Sequence, residues 1–108
     1  MSRPIEIIAF VQPKAGKADR VQEILTEAAQ IVKETEPGIL RYHLHREIKG
    51  DKPRFVMLEK YENQAALDFH VKSDIGVRVG KAFKEEDLVE SPMKIIFVKS
   101  VGGYASKL

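Results

Sequence analysis

An α+β domain with its elements in the order β-α-β-β-α-β is predicted by three observations on this chain of 108 residues. Short apolar runs of strand character stand at residues 5–11, 39–48, 54–61 and 92–101. Between the first and second runs, and again between the third and fourth, apolar residues recur at helical spacing. The second and third runs are separated only by Lys49, Gly50, Asp51, Lys52 and Pro53, turn-forming residues that suit a hairpin.

The first strand alternates Ile5, Ile7, Ala9 and Val11 against Glu6, Ile8 and Phe10, so both of its faces are largely apolar and both need cover. Beyond the turn at residues 13–16, Val21, Ile24, Leu25, Ala28, Ile31 and Val32 mark one face of an amphipathic helix of about five turns. Asp19 suits its first turn, and Glu36, Pro37 and Gly38 stop it. Asn63 caps a second helix that carries Ala66, Leu67 and His70 on one face. Ser73 or Asp74 restarts that helix, and Ile75, Val79, Ala82 and Phe83 continue the apolar stripe to about Glu86.

This order is the split βαβ of ferredoxin-like folds, a four-stranded antiparallel sheet with helices on one face. Ile8, Phe10, Ile96 and Val98 fall on the face that the helices leave bare, which makes that face apolar enough to need a partner. Two such sheets packed together close an antiparallel barrel. The expected assembly is therefore a two-fold homodimer, a dimeric α/β barrel.

Composition narrows the function classes. With 44% hydrophobic and 31% charged residues, the chain is that of an ordinary globular protein, read as one domain over 1–108 with its core at about 5–101. The 18 basic and 16 acidic residues are spread along it without a basic stripe, so no nucleic-acid partner is expected. No cysteine is present, which excludes disulfides, thiolate metal ligands and a cysteine nucleophile. No run approaches the roughly 18 apolar residues of a membrane span, and the N-terminal run is too short for a signal peptide. Residues 102–108 form a tail in which Gly102 and Gly103 lead to Ser106, Lys107 and Leu108, the tripeptide read by the peroxisomal import receptor. In a eukaryotic host the expected location is the peroxisome, and otherwise the cytoplasm.

Few residues here can carry chemistry. His70 shares a helix face with Ala66 and Leu67, and an imidazole of ordinary pKa about 6.5 exchanges protons near neutral pH. Helical spacing alone leaves it as either a pocket group or a packed core histidine. Ser73, three residues on, could orient a ligand oxygen or cap a helix. Tyr42 and Tyr61 are pocket donors or core aromatics, and Met57, Phe69 and Phe83 are an apolar pocket wall or ordinary core. His43 and His45 share a strand face and permit a metal pair if Glu59 falls opposite, a question of register. A cross-strand charged pair explains them equally, and no metal is expected. Gly76 and Gly80 suggest a close backbone approach or room for a ligand. No phosphate loop, dinucleotide fingerprint, Ser-His-Asp order or zinc motif occurs, so no cofactor is expected.

Residues 37–46 read P-G-x-x-x-Y-x-L-x-R, residues 55–61 read F-x-x-x-E-x-Y, and residues 70–73 read H-x-x-S. Taken together, over roughly residues 5–101, this order resembles the antibiotic biosynthesis monooxygenase family of dimeric α/β-barrel proteins. The resemblance implies a cavity between sheet and helices lined by the residue at the His70 position. It further implies oxidation of a small phenolic or quinol-type substrate by O2 without a cofactor, with His70 as the base. Ser73 and a tyrosine, Tyr42 among them, would position the substrate, and Met57, Glu59 and Phe83 would complete its surroundings. The family's haem-degrading branch typically carries a Trp on this helix and an iron-ligating His beyond it, where this chain has His70 and Gly80. Haem is therefore not implied. Asp74, Ile75 and Gly76 follow Ser73 in place of the family's frequent second His or Phe, so the pocket mouth differs. The same scaffold also admits an isomerase, cyclase or dehydratase, or a non-catalytic dimer that binds a metabolite or serves in stress tolerance.

Overall fold

The computed structural model describes residues 3–107. Its elements are β1 (Ile5–Val11), α1 (Ala18–Thr35), β2 (Ile39–Arg46), β3 (Phe55–Tyr61), α2 (Gln64–Lys72), α3 (Asp74–Glu85) and β4 (Lys94–Val98). The four strands form one antiparallel sheet in the order β2-β3-β1-β4, so the fold is the expected ferredoxin-like α+β arrangement. The second helical segment is two helices. Ser73 joins them in extended backbone (φ −68°, ψ 155°), closing α2 and opening α3.

Alternation in the strands sorts the sheet into two faces. Ile7, Ala9 and Val11 of β1 and Phe55, Met57, Glu59 and Tyr61 of β3 turn toward the helices and are buried. One core cluster joins Val11 and Phe55 to Val21, Ile24 and Leu25 of α1 and to Phe83 and Leu88, and a second joins Ile7, Ala9, Met57 and Tyr61 to Leu67. The opposite face carries Ile8, Phe10, Val56, Leu58, Ile96 and Val98, as β1 pairs Ile8 with Leu58 on one side and with Ile96 on the other. Arg41, Lys60, Glu6 and Lys94 add charge toward its ends.

Two departures from expectation have local causes. β4 covers only Lys94–Val98 of the run at 92–101: Pro92 has no N–H to give a ladder at the start, and at the other end Val98 already pairs with Glu6, next to the first residue of β1. Its Ile95 and Phe97 pair with Ala9 and Ile7 and so lie on the helix side, yet they remain exposed because the helices pack over the other strands. Register also separates the three groups of the conjectured metal pair. Tyr42 pairs with Glu59 and His43 with Leu58, so Glu59 faces the helices while His43 and His45 face away. The two imidazoles pack on each other at a ring distance of 4.3 Å, and no cluster able to hold a metal occurs among the described residues.

Glycine is demanded at two junctions. A Cβ on Gly38 would lie 2.8 Å from the Ala66 Cβ, so the start of β2 can approach α2 only without a side chain. A Cβ on Gly76 would lie 2.9 Å from the His70 carbonyl oxygen, which the tight α2–α3 corner brings close. Nothing in the structure explains Gly80, around which a Cβ would meet open space. Among the described residues no helix is long and apolar enough to cross a membrane. Ser106 and Lys107 are exposed, and Leu108, the last residue of the conjectured import signal, lies outside the described residues.

Candidate active site

Between the sheet and the helices, at the end of β3 that carries Glu59 and Tyr61, lies a cavity of about 230 Å³. Its walls are mostly apolar, with Ile7, Leu67, Ile75, Val79, Met93 and Ile95 among them. Its polar side is made by Tyr42, Glu59, Tyr61 and His70. No Lys or Arg lines it among the described residues.

His70 reaches this cavity because Asn63 sets the phase of α2. The Asn63 side chain accepts from the Ala66 N–H at 2.9 Å, and the turn that follows points Leu67 and His70 inward. The imidazole Nδ1 then meets both carboxyl oxygens of Glu36, at 3.2 and 3.1 Å. A carboxylate can only accept, so this contact puts the proton on Nδ1 and leaves the lone pair on Nε2. The Tyr42 hydroxyl lies 3.5 Å from Nε2, and the Tyr42 and Tyr61 rings flank the imidazole at centroid distances of 5.3 and 5.8 Å. Glu36 is almost sealed, with a side chain 3% exposed against 14% for His70.

Glu36 was read from sequence only as part of a helix stop, although its position carried a signal. The buried residues of α1 are Val21, Ile24, Leu25, Ala28 and Val32, and the next place on that stripe, four beyond Val32, is Glu36. Its backbone N–H still bonds to the Val32 carbonyl at 2.9 Å, so the carboxyl keeps the inward direction of the helix it ends.

On β3, Glu59 and Tyr61 lie two apart on the helix side, and the Tyr61 hydroxyl donates to Glu59 Oε1. Burial pushes the Glu59 carboxyl above its ordinary range, opposed by the bond from Tyr61 and by positive charge at His70. The Tyr42 phenol is pushed up by burial and then by the nearby Glu59 and Glu36. Burial also raises Tyr61, reinforced by the charge of Glu59 and the hydrogen bond to it. Both phenols therefore stay protonated and serve as donors.

The structure does not bring every expected residue here. Ser73 turns away from the cavity. Its hydroxyl donates to the His70 carbonyl at 2.6 Å and accepts from the Gly76 N–H at 3.3 Å, so it is a cap between helices and not a ligand contact. Met57 and Phe83 are also displaced from the pocket wall. Met57, 1% exposed, fills the core among Ile7, Ala9, Tyr61 and Leu67, and Phe83 packs with Val11 and Phe55 at the other end. Strand and helix phase assigned those two the correct face, but position along the element decides between pocket and core. Met93 and Ile95, whose β4 edge lies open, take the wall instead.

Comparison with known proteins agrees with the fold. The family described as antibiotic biosynthesis monooxygenase matches residues 4–79. YcnE of Bacillus subtilis (strain 168), provisionally named a monooxygenase, is 30% identical over 82 residues, 74% of this chain and 83% of its own. A Caulobacter crescentus CB15 structure, provisionally titled an antibiotic biosynthesis monooxygenase, superimposes with a TM-score of 0.81 at 25% identity, covering 94% of this chain and 92% of that one. PA3566 from Pseudomonas aeruginosa does so at 0.81 and 25% identity over 94% and 98%. Rv0793 from Mycobacterium tuberculosis, 20% identical, shares the fold with a TM-score of 0.80 over 95% and 100%. On the family match and the relative together, the chain belongs to the antibiotic biosynthesis monooxygenase family.

Proposed function

We propose that this protein is a cofactor-independent monooxygenase that oxidises a small electron-rich phenol or quinol with O2, and that His70 is its base. The observation that carries the reading is the bond from His70 Nδ1 to the buried Glu36, which leaves Nε2 as the basic nitrogen at the cavity. A deprotonated phenol can itself give an electron to oxygen, so the chemistry asks the protein for a base, a dry enclosure and donors that hold the ring. Tyr42 supplies a donor, while the Tyr61 hydroxyl is engaged in holding the Glu59 carboxyl at the cavity. A volume of about 230 Å³ exceeds the ~150 Å³ apolar cavity that accepts benzene, and so suits one substituted ring or two fused ones. With no cation on the walls, an uncharged substrate is favoured over a carboxylate or phosphate ester.

Oxygen uptake with a panel of uncharged quinols tests the reading. General-base assistance is typically worth about 10²- to 10⁴-fold, so His70→Ala should lose turnover by that order. His70→Gln, which hydrogen-bonds but takes no proton near neutral pH, should lose as much. Full uptake by the glutamine variant sinks the base assignment, and product formed without oxygen consumption points to isomerisation or dehydration on the same scaffold.

The bare sheet face supports a second part of the proposal, a homodimer in which a second copy covers Ile8, Phe10, Leu58, Ile96 and Val98. Stable interfaces bury on the order of 1,200 Å² or more. Light scattering should give twice the chain mass at micromolar concentration, and a monomer there overturns it.

A further inference from the structure

We propose that Glu59 is the general acid of this site, delivering a proton to the oxygen that leaves when the O–O bond breaks, an inference that rests on the oxygenase reading above. Glu59 lines the cavity on the wall that also holds Tyr61, and its register partner Tyr42 stands beside it on β2. It is 8% exposed, its Oε1 accepts from Tyr61, and its other oxygen has no hydrogen-bond partner among the described residues.

What faces Glu59 decides its charge. β3 contributes Tyr61, β2 contributes Tyr42 and α2 contributes His70, behind which Glu36, just past the end of α1, holds the imidazole Nδ1. The lining from β1, α1, α3 and β4 carries no titratable side chain, with Ile7, Ala28, Ile75, Val79 and Ile95 among it. The one group here able to become cationic is His70, and its Nδ1 is engaged by Glu36. A carboxyl withdrawn from water with no cation of its own keeps its proton. The upward push on Glu59, caused first by burial, agrees. The cavity thus sets His70, whose Nε2 faces it while Nδ1 is engaged by Glu36, beside a carboxyl that burial pushes toward its protonated form.

The reaction balances on this pair. His70 Nε2 takes the phenol proton, the phenolate passes one electron to O2, and the two radicals join at a ring carbon that still carries hydrogen. The imidazolium returns its proton to the terminal oxygen, giving a hydroperoxide. His70 then takes the ring C–H proton. The C–H electron pair becomes the second bond of a carbonyl, the O–O bond breaks, and the departing hydroxide takes the Glu59 proton and leaves as water. One phenol and one O2 yield one quinone and one water. The imidazolium finally passes its proton to the Glu59 carboxylate, restoring both groups.

Glu59→Gln tests the assignment, since the amide still accepts from Tyr61 at nearly the same size but holds no transferable proton. Infrared spectra of the substrate-free protein near neutral pH should show a protonated-carboxyl band that is missing in this variant. Turnover should fall about 10²- to 10⁴-fold with KM little changed, and the alkaline decline expected of the wild-type rate as Glu59 loses its proton should be absent from the variant. Glu59→Asp, which keeps an acid, should restore part of the rate. Stability gives a third readout. Because the folded carboxyl is raised, its contribution is complete below the ordinary carboxyl range and is lost as pH climbs through the folded value. Glutamine has no proton to lose, so the melting temperature of Glu59→Gln relative to wild type should rise with pH across that window. A band that persists in Glu59→Gln, or a wild-type band that is absent, overturns the acid whatever the activity. A correct band without oxygen uptake on any quinol overturns the reaction, and with it the acid's task.

Discussion

The two halves of β3 face the same helices with opposite chemistry. Phe55, fully buried, joins a solid core with Val11, Val21, Leu25, Phe83 and Leu88, and the Arg46 guanidinium covers its ring at 5.6 Å from the centroid. Two to three residue pairs further on, Glu59 and Tyr61 are nearly as deeply enclosed, but against a cavity and beside His70 and Glu36. The difference is therefore one of packing and polarity and not of depth. A carboxyl withdrawn from water is costly unless bonded, and a hollow forfeits dispersion contacts. Stability of the helix–sheet sandwich must come mainly from the Phe55 end, leaving the Glu59 end free to hold groups that a core would reject. Met57 marks the boundary, packing with Ile7 and Ala9 while touching the same cluster as Tyr61.

The comparison is tested most severely by truncation at the closed end. Phe55→Ala removes a ring from a site with no cavity to absorb the change, and aromatic-to-alanine substitutions in such cores cost about 3–5 kcal/mol. Denaturant unfolding should show a loss of that size, a large share of the stability of a small domain. Where the variant stays folded, its turnover should remain within a few-fold of wild type. His70→Gln should do the reverse, cutting turnover by orders of magnitude with little change in unfolding, because its amide can still donate to the buried Glu36. Equal stability losses at the two positions would mean that both ends support the fold and that the division along β3 is false.

Much of this architecture was legible in the sequence because each element satisfied one face at a time. The alternation Phe55, Met57, Glu59, Tyr61 names the helix-facing side of β3, and the helical stripe from Val21 to Val32 names the inner side of α1. What periodicity does not carry is distance along the layer. Phase leaves Ser73 as ligand contact or cap and Met57 and Phe83 as pocket wall or core, the resemblance implies the pocket for all three, and the corner between α2 and α3 and the placement of the helices over the sheet set them elsewhere. Glu36 was overlooked for a related reason. A Glu-Pro-Gly sequence reads as punctuation, and only the inward stripe behind it reveals a side chain that the helix still directs into the core. The Glu59 register was undetermined for lack of a marker in the hairpin, and it becomes definite only with the register shift between Ile39 and Arg41, after which Tyr42 pairs with Glu59 and His43 with Leu58.

The smallest expected effect concerns the corner that supports the polar end. Ser73 closes α2 and opens α3, its hydroxyl donating to the His70 carbonyl and accepting from the Gly76 N–H. Replacing such a capping hydroxyl by alanine typically costs about 1 kcal/mol, which for a domain of this size is roughly 4–8 °C in Tm. Because the lost bonds hold backbone and not substrate, Ser73→Ala should lower Tm by that amount with KM unchanged. Its effect on turnover should be slight, since the imidazole is aimed by Glu36 and Tyr42 as well as by its own helix. Ser73→Asp keeps an acceptor for the Gly76 N–H and adds negative charge at the start of α3, so it should recover most of the lost Tm. If KM rises in Ser73→Ala while Tm holds, the hydroxyl touches the substrate after all, and the polar end of the molecule reaches one turn further than the cavity walls indicate.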